Sequence, residues 1–113
     1  MKYLLLIYGD EAAMEAARAG TTPGEQASEA KGWFEYGDWL QEKGWYLAGE
    51  ALQPTTTATS VRASDGKPIV TDGPFAETKE QLGGYYVLDV ANADEAIQAG
   101  ARCPGAMFGT IEL

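Results

Sequence analysis

The stretch Tyr3-Leu4-Leu5-Leu6-Ile7-Tyr8 is apolar at every position, and nothing else constrains the fold of this chain so strongly. Side chains of a strand alternate between its faces, so Tyr3, Leu5 and Ile7 point one way and Leu4, Leu6 and Tyr8 the other. A strand apolar on both faces needs cover on both. The stretch stops at Gly9-Asp10, short of the ~7–15 apolar residues of a secretory leader. No run approaches the ~20 residues of a membrane span. The expectation is a cytoplasmic protein without a membrane role.

The rest of the chain reads as a mixture of helices and strands. Residues 10–20 are rich in Ala and Glu and fit a short helix without a clear stripe. Thr22-Pro23-Gly24-Glu25 is a helix start, with Thr22 as N-cap, Pro23 in the first turn and Glu25 closing a capping box. The helix that follows is expected to bury Ala30, Trp33, Phe34, Gly37 and Leu40 and to end at Gly44, leaving Trp39 off the stripe as an interface residue. Trp45–Leu52 and Thr55–Ala63 read as strands. Ser64-Asp65-Gly66 is a hairpin turn that brings Lys67–Thr71 back as a partner. Tyr85–Val90 is the next strand. Asn92 caps a second amphipathic helix with the stripe Ala93, Ala96, Ile97, Gly100 and Ala101. Cys103-Pro104-Gly105 breaks that helix, and Phe108–Leu113 is a last strand.

The order β-α-β-β-(β)-β-α-β leaves two helices for one antiparallel sheet, and both fit on one face of it. The other face still carries Tyr, Leu and Val. A second copy of the sheet would cover it, so a homodimer is expected. A length of 113 residues, 45% of them hydrophobic, fits one domain. The net charge of −9 argues against nucleic acid and anionic membranes as partners. With no histidine and a single cysteine, Cys103, neither a disulfide framework nor the usual zinc ligand sets can be built. No calcium-loop spacing, phosphate-binding loop or dinucleotide fingerprint occurs, so neither metal nor cofactor is expected.

Residues 71–86, Thr-Asp-Gly-Pro-Phe-Ala-Glu-Thr-Lys-Glu-Gln-Leu-Gly-Gly-Tyr-Tyr, gather turn formers, charges and aromatics in one tract. Asp72-Gly73-Pro74 is incompatible with a helix interior or a central strand, and Gly83-Gly84 reads as a sharp turn into the apolar run. A polar, aromatic tract between strands is where a small domain places a site. Residues 69–88 resemble the YCII-related family, in the branch named for its Asp-Gly-Pro-Phe motif, here Asp72-Gly73-Pro74-Phe75. The resemblance extends to Lys2-Tyr3 through Tyr8, Gly49-Glu50-Ala51-Leu52 and Cys103-Pro104-Gly105-Ala106. It implies a ferredoxin-like α+β fold, βαββαβ with an antiparallel sheet, that dimerises as an α/β barrel. Some relatives look like enzymes acting on small ring compounds, and others are encoded beside sigma factors. The enzyme-like members are credited with a His–Asp pair, which a chain without histidine cannot supply.

Candidate residues carry alternatives. Asp72 is either a general base or the acceptor of backbone N–H groups in its own turn. Glu50, between Gly49 and Ala51, is either a site acid or the ion partner of Arg62 or Lys79. Glu50 and Asp72 together can divide acid and base work. Lys79 is either part of a solvated charge run or an anion ligand. Phe75, Tyr85 and Tyr86 can line an aromatic pocket with Gly73 and Pro74, although alternation puts Tyr85 and Tyr86 on opposite faces. Tyr8 is either a pocket residue or packing. Cys103 lacks a partner that would activate its thiol. The expectation is a homodimer binding a small organic molecule near the Asp72–Phe75 turn. The alternatives are cofactor-free proton transfer, isomerisation or elimination on a small ring compound, and a non-catalytic partnership with a sigma factor.

Overall fold

A computed structural model describes Met1–Leu113. The strands are β1 (Lys2–Gly9), β2 (Tyr46–Ala51), β3 (Thr59–Ser64), β4 (Lys67–Asp72), β5 (Gln81–Asp89) and β6 (Thr110–Glu112). The helices are α1 (Glu11–Ala19), α2 (Pro23–Glu42) and α3 (Ala93–Arg102), with short 3₁₀ turns at Thr55–Thr57 and Pro104–Met107. None of the helices is long and apolar enough to cross a membrane. β1, β2, β5 and β6 form one antiparallel sheet in the order β2-β5-β1-β6, and β3–β4 form a separate two-stranded sheet. This is an α+β, ferredoxin-like fold, with the β3–β4 hairpin set between its second and third sheet strands.

The helix ends follow their capping chemistry. Glu25 N–H donates to the Thr22 hydroxyl at 3.1 Å while Thr22 N–H donates to the Glu25 carboxylate at 3.4 Å, the two halves of a capping box. α2 ends at Glu42, and Gly44 takes φ +73° beyond it, a conformation glycine adopts without steric cost. Asn92 caps α3 through Glu95 N–H at 3.0 Å. Asp10 caps α1 through Ala13 N–H. Asp65 and Gly66 both have positive φ in the two-residue loop between β3 and β4, as a type I′ hairpin requires.

α2 and α3 cover one face of the main sheet. Leu5, Leu40, Leu88, Ala96 and Ala99 are fully buried there with Tyr36, Trp45, Val90 and Cys103. Each of the three leucines contributes about 1.5–3 kcal/mol by leaving water. The buried stripes differ from the sequence expectation. α2 buries Tyr36 and Leu40, with Trp33 and Trp39 packed beside them, and leaves Phe34 74% exposed. Trp39 stands edge-on to Trp45 at 5.5 Å, under the Arg102 guanidinium at 4.5 Å, so it belongs to the core margin. α3 buries Ala96, Ala99 and Gly100, while Ile97 is exposed.

Gly83 and Gly84 lie inside β5 and do not make the expected turn. The registers explain their presence. Ile7 pairs with Gly84 but Tyr8 with Leu82, so Gly83 is an extra residue in a bulge. A side chain on Gly84 would reach within 3.0 Å of the Glu50 carbonyl. A second bulge falls in β2, where Tyr46 pairs with Leu88 and Ala48 with Val87. Leu47 is the extra residue, and it reverses the facing of everything after it in β2.

Candidate functional site

The β2 bulge decides where Glu50 points. Simple alternation would put Glu50 on the face of Tyr46, which packs with Tyr86 in the helix-covered core. The extra Leu47 turns Glu50 to the opposite face, directly across from Tyr85. Tyr85 in turn pairs with Leu6 of β1, and Leu6 with Glu112 of β6. One row therefore runs across all four strands: Glu50, Tyr85, Leu6, Glu112. Leu4, Val87 and Ala48 form the next row on the same face. No helix covers this side of the sheet, and Leu4 is exposed on it.

Tyr8 lies on this open face as well, paired with Thr110. Its hydroxyl donates to the Glu112 carboxylate at 3.2 Å. Partial burial pushes the Tyr8 phenol above its usual pKa, and the hydrogen bond and negative charge of Glu112 add to the rise. The phenol therefore stays protonated and available as a donor. Beside it, the Thr110 hydroxyl donates to Glu80 at 2.8 Å, which ties the loop before β5 to the last strand. Glu112, Thr110 and Glu80 were not anticipated. The only hint in the sequence is that Thr110 and Glu112 flank Ile111 at alternate positions.

The remaining candidates lie elsewhere. Asp72 closes β4 opposite Thr59, is exposed, and its carboxylate makes no hydrogen bond. The turn after it is held by backbone and by a serine: Gly73 N–H donates to the Ala58 carbonyl at 2.7 Å, and the Ser60 hydroxyl donates to the Gly73 carbonyl at 2.8 Å. Gly73 has φ +90°, a glycine conformation, which is what this position of the motif requires. Pro74 is exposed and Phe75 is 83% exposed. Lys79 is exposed and in no ion pair. Asp72 thus sits on the small sheet and Glu50 on the large one, without contact between their carboxylates.

Tyr86 faces the helices. Its ring meets Tyr36 at 5.5 Å and Tyr46 at 6.2 Å in edge-on geometry, and burial pushes its phenol up to about 12. The space left by Gly49 is filled by that ring, since a Cβ there would stand 2.6 Å from Tyr86 Cδ1. Buried Cys103 lies in the same cluster, and burial raises its thiol above the usual range. A thiol so placed stays neutral.

A hollow of ≈ 350 Å³ between α3 and β6 is lined by residues such as Ile97, Ala101, Ala106 and Thr110. No group of three or more acidic or thiol side chains is arranged to hold a metal. The chemistry on hand is that of two carboxylates and two phenols on an apolar sheet face.

An uncharacterized protein of Rhizobium meliloti (strain 1021) is 61% identical over 46 residues, which is 41% of this chain and 37% of that relative. The chain thus spans little more than a third of the relative's length. The model of the YCII-related domain matches residues 1–113, and the chain belongs to the YCII-related family.

Proposed function

We propose that the protein is a homodimer that binds a small organic molecule between open sheet faces, against Glu50, Tyr85, Tyr8 and Glu112. The row Glu50–Tyr85–Leu6–Glu112 carries this reading, because it puts a carboxylate on each outer strand and a phenol between them on a surface that a two-layer monomer leaves bare. A second sheet would cover Leu4, Leu6 and Val87 and would exclude water around the polar groups. On this proposal the chain belongs to the branch named for the Asp-Gly-Pro-Phe motif, which it carries as Asp72-Gly73-Pro74-Phe75. In this reading the turn sits beside the ligand cleft and the exposed Phe75 ring lines its mouth. The single buried thiol fits the cytoplasm.

The Tyr8–Glu112 hydrogen bond favours one catalytic variant of this reading. A phenol that stays protonated beside a carboxylate can donate to a developing oxyanion while the carboxylate takes a proton. That is cofactor-free proton transfer or isomerisation on a small ring compound.

The test combines light scattering with a thermal-shift screen against aromatic acids, lactones and cyclic ketones, run on wild type, Glu50→Gln and Glu112→Gln. The expected outcome is a dimer at micromolar concentration and a compound that raises Tm in the wild type but not in the variants. A monomer at that concentration, or a Tm gain that both variants retain, overturns the reading. Turnover of the bound compound, lost in Glu112→Gln and in Tyr8→Phe, selects the catalytic form over simple binding.

A further inference from the structure

The two sheets leave four strand edges without a neighbour: β2 and β6 in the main sheet, and β3 and β4 in the hairpin arm. An unpaired edge is a template for another chain, and folded proteins blunt the edges they do not use. Three of the four are blunted here. β2 carries the Leu47 bulge, β6 is a strand of only three residues, and β4 contains Pro68.

The hydrogen-bond phase of the arm shows that Pro68 guards an edge. Gly73 N–H donates to the Ala58 carbonyl at 2.7 Å, which makes Ala58–Gly73 a bonded pair. Bonded and non-bonded pairs alternate along an antiparallel ribbon, so Ser60–Thr71, Arg62–Ile69 and Ser64–Lys67 are bonded too. The residues between them turn their backbone groups outward. These are Thr59, Val61 and Ala63 on β3, and Pro68, Val70 and Asp72 on β4. Pro68 therefore stands where β4 would have to donate, and it has no N–H to give. β3 has no such interruption, and its outward residues are all exposed. Nor does the rest of the chain fold over the arm. The molecule measures 48 × 40 × 19 Å with a radius of gyration of 16.3 Å, against about 13 Å for a compact chain near this length.

The composition of the arm selects the occupant. Two strands alone are of marginal stability in water, whereas three or more with an apolar face are stable. Val61, Ala63, Pro68 and Val70 share one face of the arm, and a second arm beside it would extend that face over four strands. Arg62 and Lys67 against Asp65 leave residues 59–71 at +1 in a chain of net charge −9. Two copies thus meet at the arm without the repulsion their overall charge imposes. The register is fixed by the same residues. Antiparallel pairing centred on Val61 sets Thr59 opposite the partner's Ala63 and Arg62 opposite the partner's Ser60. Centred on Arg62 it would set two like charges face to face, which destabilises. Centred on Ser60 it would run Ala63 into the 3₁₀ turn at Thr55–Thr57.

We propose that β3 of one copy pairs antiparallel with β3 of a second copy about Val61, joining the two arms into one four-stranded sheet in the order β4-β3-β3-β4. The contact needs a second copy, as the reading above does, but no ligand and no residue of the open sheet face.

Amide exchange read by NMR on the wild-type protein tests it. In a lone arm the outward amides of Thr59, Val61, Ala63, Val70 and Asp72 all exchange fast. In the paired arm Thr59, Val61 and Ala63 should slow by about tenfold or more as the protein is concentrated from monomer into dimer, while Val70 and Asp72 stay fast. Fast exchange at all five in a dimeric wild type overturns the pairing and leaves the homodimer intact. Slow exchange that persists at every dilution also overturns it, because the edge is then covered by its own chain. A wild type that stays monomeric at millimolar concentration overturns the pairing and the homodimer together. Val61→Pro copies the Pro68 device onto β3 and should weaken association about tenfold or more by sedimentation. Val70→Pro, on the edge already blunted, should leave association unchanged. Equal effects of the two overturn the proposal, and where Val61→Pro fails to fold by circular dichroism the wild-type exchange decides.

Discussion

The Tyr36 hydroxyl donates a 2.6 Å hydrogen bond to the Ala99 carbonyl, joining the middle of α2 to the end of α3. Ala99 is among the last four residues of α3, whose carbonyls have no N–H of the same helix left to receive. Tyr36→Phe keeps the ring and removes the donor. The expected cost is about 1–3 kcal/mol, because a buried acceptor is left unsatisfied. Urea unfolding of the two proteins measures it, and a difference under about 0.5 kcal/mol would show that water replaces the phenol.

The same tyrosine cluster makes the fold alkali-sensitive. Burial raises the Tyr86 phenol from 10.0 to about 12 and pushes Tyr36 up further still. Both raised values mean that the folded state holds protons the unfolded chain releases. Their contribution is complete below pH 10.0, the ordinary tyrosine value, and is lost as the pH climbs toward about 12. Urea midpoints should fall steadily across that window, and less steeply in Tyr36→Phe. A flat profile through it refutes the assignment.

Thr22→Ala removes the hydroxyl that accepts from Glu25 N–H at the start of α2 and keeps the backbone N–H that donates to the Glu25 carboxylate. A loss of about 1 kcal/mol is expected, while Thr22→Asp should retain most of the stability because Asp also caps. Equal losses in both variants would show that the hydroxyl does something other than capping.

Gly109 backs directly on the Tyr8 carbonyl, so that a Cβ would collide with the β1 backbone. Gly109→Ala should push β6 away from β1 at a cost of about 1–3 kcal/mol. Because β6 carries Glu112, the Tyr8–Glu112 bond should loosen at the same time. A Tyr8 ring resonance shift seen by NMR in both Gly109→Ala and Glu112→Gln is the expected signature. A folded Gly109→Ala with an unchanged Tyr8 resonance contradicts it.

Features set by neighbours in the chain were legible beforehand. The Thr22 box, the Asn92 cap, the Asp65-Gly66 hairpin and the two apolar faces of β1 all depend on residues within a few positions of each other. The burial phase of α2 was not. Phe34 looks like core by hydrophobicity alone, whereas Tyr36 earns its burial from an acceptor 63 residues away. Half of the open-face row was equally hidden. Glu50 was singled out without its direction, which a one-residue bulge at Leu47 determines. Glu112 becomes part of the row only because β6 pairs with β1, and its bond to Tyr8 spans 104 residues.

The order of strands in the sheet also governs when this molecule can begin to exist. β1 is the first of the domain's strands to be made, yet it pairs with β5 and β6, the last of them. Its backbone therefore has no strand to bond to until residues 81–112 have been made. Contacts so distant in sequence fold slowly, and an unpaired apolar strand is the kind of segment that aggregates or engages chaperones meanwhile. Folding of this domain waits for its own last two sheet strands, with β1 as the element that a nascent chain must keep shielded.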